Sequence, residues 1–117
     1  MTNRSKAIGS AWERRLLDYF RAAFGNGERL ALAGINDEGD LWFHWNGRAY
    51  VIEAKAEKSL NLSSYVQEAE REAANWHRSR PTWAAPFWAA ISKRRNHGVG
   101  KAYVTMTLDE YVRLVKR

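Results

Sequence analysis

The chain has no cysteine, which excludes disulfide staples, zinc knuckles and cysteine nucleophiles. It also has no long apolar run. The longest, Trp83 to Ile91, is interrupted by Pro86, well short of the ~18 residues a membrane span needs. Mean hydropathy is −0.59, so no membrane partner is expected. Met1-Thr2-Asn3-Arg4-Ser5-Lys6 leads into an amphipathic pattern rather than the apolar stretch of a signal peptide. There is no internal repeat, low-complexity tract or linker. No Ser-His-Asp set or phosphate-cradling glycine loop is visible, and His44, His77 and His97 lack the spacing of metal ligands. What is there is a 117-residue chain with 45% hydrophobic and 27% charged residues. That suits one globular domain over residues 1–117 with a real core.

Charge is unevenly spread. Residues 78–117 hold nine Lys/Arg against Asp109 and Glu110, net +7, whereas residues 1–77 hold ten against eleven acids, net −1. A basic half suggests a polyanion partner, and Lys93, Arg94, Arg95 and Lys101, with Lys6 and Arg14 from the N-terminal segment, are the candidate DNA contacts. Lys93-Arg94-Arg95 runs into the glycine-bearing stretch Asn96-His97-Gly98-Val99-Gly100, as a phosphate-contacting loop requires. Six tryptophans fit core or subunit contacts.

Periodicity gives the order α-β-β-β-α-β-β-α. Apolar residues from Ile8 to Phe24 fill one half of a helix that Gly25-Asn26-Gly27 ends. Glu13 alone breaks that arc. Strands follow at Leu30–Ala33, Asp40–Trp45 and Arg48–Lys55, the last two joined by Asn46-Gly47, which favours a type I′ hairpin. Leu62–His77 returns to the helical period, with Ser64 and Gln67 readable as a capping box. Strands at Phe87–Ser92 and Ala102–Met106 precede a helix at Leu108–Val115, capped by Thr107. The fold class is an α/β sandwich with a mixed sheet.

The hairpin brings chemistry together. Asp40 opens one strand and Glu53 closes the next, so they meet at the open end of the ribbon, and Lys55 shares the face of Glu53. Paired carboxylates suit a hard cation such as Mg²⁺, with Mn²⁺ substituting. A lysine beside them binds the scissile phosphate or helps activate water. The chemistry is phosphodiester hydrolysis.

Gly39-Asp40-Leu41, with Glu53-Ala54-Lys55 at a strand end thirteen positions on, resembles the PD-(D/E)XK nuclease core, with Gly39 where the motif has proline. Gly9 to Leu16 resembles the N-terminal helix of archaeal-type and phage Holliday-junction resolvases, and Val66 to Ala73 and Lys93-Arg94-Arg95 also look like the phage members. The resemblance implies a restriction-endonuclease-like core and a Mg²⁺ site of Glu13, Asp40, Glu53 and the Ala54 carbonyl. It also implies a catalytic Lys55, four-way-junction DNA as substrate, a homodimer, and a cytoplasmic setting in a bacterial or phage-infected cell. No small-molecule cofactor is expected. Gln67 is either a site residue or only a helix cap. Alternatives are another PD-(D/E)XK nuclease (repair or restriction-like), a non-catalytic DNA-binding module, or a protein that binds RNA or an anionic membrane.

Overall fold

The computed structural model describes residues 3–30 and 37–117. Helix α1 spans Asn3–Phe24, starting before the apolar period at Ile8 does. Gly25, at φ +79°, ends it as the sequence suggests, its N–H bonding the Arg21 carbonyl. Strand β1 is the short Glu28–Arg29, upstream of the expected Leu30–Ala33, whose residues after Leu30 lie outside the described ones. Strands β2 (Leu41–Trp45) and β3 (Arg48–Lys55) form the expected hairpin. Asn46 and Gly47 take φ +52° and +76°, as a type I′ turn demands.

Helix α2 covers Leu62–Ser79. Its cap is Asn61, whose side chain accepts from the Ser64 N–H at 3.2 Å. The expected Ser64–Gln67 box is therefore corrected: the helix is already under way at Ser64. Strand β4 is Phe87–Ser92, β5 is Tyr103–Thr105 after a 3₁₀ turn at Val99–Lys101, and α3 is Leu108–Val115 with Thr107 accepting from the Glu110 N–H.

The sheet runs β1-β2-β3-β4-β5, antiparallel except for the parallel β3–β4 pair that α2 connects. This is a mixed five-stranded α/β sheet flanked by helices, and alternation along its strands builds two cores. Leu41, Phe43, Ile52, Ala89 and Ile91 face α1, meeting Trp12, Leu16, Leu17 and Phe20. Ala49, Val51, Trp88 and Ala90 face α2, meeting Tyr65, Ala69, Ala73 and Trp76. Each fully buried large side chain contributes about 1.5–3 kcal/mol, so α1 and α2 are held mainly by these stripes. Trp42 packs edge-on to Trp83 and near Trp76, while Trp45 lies 42% exposed beside Phe24. The two tryptophans thus serve opposite faces. On α3, buried Glu110 accepts from the Trp88 N–H at 2.9 Å and pairs with Arg113, pinning that helix to β4.

Candidate metal centre and basic rim

Strand alternation continues past the core into the site. Val51 faces α2, so Glu53 and Lys55 on the same strand do too. Leu41 pairs with Ile52, and the next step of that register sets Asp40 opposite Glu53. Two backbone bonds secure this. The Asp40 N–H donates to the Ile52 carbonyl at 3.1 Å, and the Ala54 N–H donates to Asp40 Oδ2 at 2.7 Å. Asp40 stands just outside β2, which begins at Leu41, one residue later than expected.

Gly39 holds the approach to Asp40 at φ +102°, and an added Cβ would stand 3.0 Å from Val51 Cγ1. Proline needs φ near −65°. A proline could therefore not take the conformation that Gly39 holds.

Helix α2 supplies what the sequence reading missed. Lys55 Nζ lies 2.6 Å from Glu68 Oε2 and 3.8 Å from Glu53 Oε1, over the Tyr65 ring. One turn on, Glu72 is 2% exposed. Glu53, Glu68 and Glu72 each offer a carboxylate oxygen within 4.8 Å of the others, the group of three acidic side chains able to hold a metal ion among the described residues. Glu53 Oε2 and Glu72 Oε2 are buried without a hydrogen-bond partner, as is the hydroxyl of Ser92, Lys55's neighbour across β3–β4. Unpartnered buried oxygens cost on the order of 1–3 kcal/mol each, and an all-oxygen donor set fits a hard divalent cation.

The carboxyls repel one another's charge. Burial raises Asp40 above the usual carboxylate range; the Ala54 N–H opposes that shift, and Asp37 adds to it. Glu72 is pushed up to about 8, first by burial, then by the charges of Asp37 and Asp40, and by hydrogen bonding with Asp37. Glu13 is half-buried on α1 and also raised, by burial and by Asp40, with Arg29 opposing. It approaches from the other side of the sheet.

A cleft of about 1220 Å³ runs over this end of the sheet. Glu13, Asp40, Glu53, Ala54 and Lys55 line it together with Lys6, Lys93, Arg94 and Arg95. The parallel β3–β4 pairing explains the company. Both strands point the same way, so the basic run after Ser92 emerges beside Lys55, and the Lys93 N–H bonds the Lys55 carbonyl at 2.9 Å. Arg94 stacks over Tyr103 and donates to the Lys101 carbonyl.

Three expected residues do not join the cleft. Gln67 is exposed; the packing of Tyr65, Ala69 and Trp76 turns its neighbour Glu68 to the site instead. Arg14 points to solvent, 3.5 Å from the equally exposed Asp18. Lys101 is exposed on its 3₁₀ turn, and only its backbone touches Arg94. The signal for Glu68 and Glu72 was their spacing: two like charges one turn apart beside an apolar stripe oppose helix formation unless something neutralises them.

No family model, curated protein or solved structure matches the chain.

Proposed function

We propose that the protein is a Mg²⁺-dependent endonuclease with a restriction-endonuclease-like core that cuts branched DNA, as the Holliday-junction resolvases it resembles do. The observation that carries this reading is the shared end of β3 and β4. There a cluster of buried carboxyls with unpartnered oxygens and one lysine opens into a cleft whose rim is basic. Asp40 and Glu53, with the Ala54 carbonyl and Glu13, would hold the ion. When bound, Mg²⁺ supplies Lewis-acid polarisation of the phosphate and an acidified water. Lys55 donates to a non-bridging oxygen of the scissile phosphate as charge builds there. Lys6, Lys93, Arg94 and Arg95 grip the flanking backbone, reading shape rather than base sequence.

A homodimer follows from the substrate, since two symmetric cuts need two equivalent sites. The exposed apolar side chains of β5 and α3 support it, among them Val104 at 58%, Leu108 at 76% and Val115 at 62% exposure. The bacterial or phage-infected cell that the resemblance implies would place the work in the cytoplasm.

Cleavage of an end-labelled immobile four-way junction, beside a linear duplex of matching sequence and with or without Mg²⁺, tests the reading. Paired nicks in the junction alone, and only with metal, are expected. Cutting of both substrates would replace the resolvase with a repair or restriction-like nuclease. Tight binding without cleavage would replace it with a DNA-binding module.

A further inference from the structure

The metal site named above uses Asp40 and Glu53, yet the acidic group whose oxygens lie within 4.8 Å of one another among the described residues is Glu53, Glu68 and Glu72. Two of these carboxylates are more than nine-tenths buried, Glu53 at 7% and Glu72 at 2% exposure, and each keeps one oxygen with no partner. Burial without a partner is costly for a carboxylate, and the helix gains nothing from setting Glu68 and Glu72 one turn apart. Charge points the same way. Asp37, Asp40, Glu53, Glu68 and Glu72 crowd together, and among the described residues the ammonium that pairs with them is that of Lys55. A single divalent ion at Asp40 and Glu53 leaves the buried Glu72 oxygen still without a partner.

We infer that Glu53, Glu68 and Glu72 form a second divalent-cation site, which draws Glu68 away from Lys55 and frees the ammonium for the cleft. Glu53 would be a ligand common to both sites. The ligand class is a hard cation of the Mg²⁺ or Mn²⁺ kind, because every donor is a carboxylate oxygen. Lys55 is a counter-ion to Glu68, turned toward α2. Filling the second site replaces that ammonium with the metal, so Lys55 becomes available to phosphate only when the cluster is loaded. This role for Lys55 rests on the nuclease reading; the site itself does not.

Binding of Mn²⁺ alone, followed by the paramagnetic signal of the free ion, tests the site without any DNA. The wild-type chain is expected to take up about two Mn²⁺, as two-metal sites do. Glu72→Gln, Glu68→Gln and Asp40→Asn are each expected to take up about one. Glu72→Gln keeps its residue's shape; should it not fold, Glu68→Gln decides, since that side chain is already 33% exposed. Uptake of one ion by the wild type, or of two by the Glu68 variant, would overturn the site. The Lys55 side-chain methylene resonance is expected to move on adding Mg²⁺ to the wild type and to stay in place in the Glu68 variant. An unmoved wild-type resonance would overturn the release of Lys55. Junction cleavage by a chain that binds one ion would keep the nuclease and remove this site. Two ions without cleavage of any DNA would remove the nuclease and keep the site.

Discussion

The two ends of the β2–β3 ribbon are built from opposite physics. At the turn end, Phe43 stacks between Phe24 and Tyr50, with ring centroids 4.3 and 4.8 Å away and planes 8° apart in each pair. Asn46 and Gly47 adopt the conformations their turn asks for. Every local preference there agrees with the fold. At the open end, Glu53 is buried and Asp40 half-buried beside further carboxyls, oxygens lack partners, and Gly39 is held at positive φ. Unsatisfied buried oxygens of that kind persist only where the surrounding structure over-determines them.

Substitutions at the two ends should therefore separate activity from stability. Glu53→Gln is expected to lower Mg²⁺-dependent junction cleavage by about 10³-fold or more while leaving DNA binding and the metal-free melting temperature undiminished. Gel-shift and thermal melts beside the cleavage assay check this; a fall in stability instead would make Glu53 structural. Phe43→Ala should do the reverse, costing about 3–5 kcal/mol in denaturant unfolding with cleavage per folded molecule retained. Gly39→Ala sits between these extremes. Its Cβ would meet Val51 at 3.0 Å and its backbone would stay at φ +102°, for a loss of about 1–3 kcal/mol and a displaced Asp40. Both stability and Mn²⁺ affinity should fall together.

Acidity gives a subtler test. Glu72, Asp40 and Glu13 are all raised, Glu72 to about 8. The folded chain then binds more protons than the unfolded one between the ordinary carboxylate range and about pH 8. The stability from these retained protons is fully present at the acidic end of that window. It is lost as pH rises through about 8. Melting curves across that window without metal should show the decline, and added Mg²⁺ should reverse it by binding the ionised cluster. The smallest effect belongs to Gln67→Ala. Its side chain is exposed outside the cleft, so stability should change by about 0.5 kcal/mol or less and cleavage should be unaltered. A large loss of cleavage would return Gln67 to the site.

Much of the fold was legible locally. The Asn46-Gly47 pair, the alternation of the two strands it joins and the apolar stripe from Leu62 onward correspond to β2, β3 and α2. The site was half legible. Asp40, Glu53 and Lys55 came from hairpin geometry, because a tight turn fixes register and register fixes which side chains meet. On α2 the sequence reading named Gln67, whereas the side chain that meets Lys55 is its neighbour Glu68. A helix places neighbours about 100° apart, and only its docking decides which of them faces the sheet.

The amino-acid order thus determined on its own the elements other than β1 and the cap of α2, the hairpin pairing, the basic C-terminal half and the odd position of Glu13, since each depends on residues near in sequence. Tertiary structure alone decided that Glu68 and Glu72 join Glu53, that Lys55 pairs with Glu68, and that Lys93 to Arg95 rise beside them. Those contacts follow from the rotation of α2 on its apolar stripe and from the parallel run of β3 and β4, both set by burial of side chains far apart in the chain.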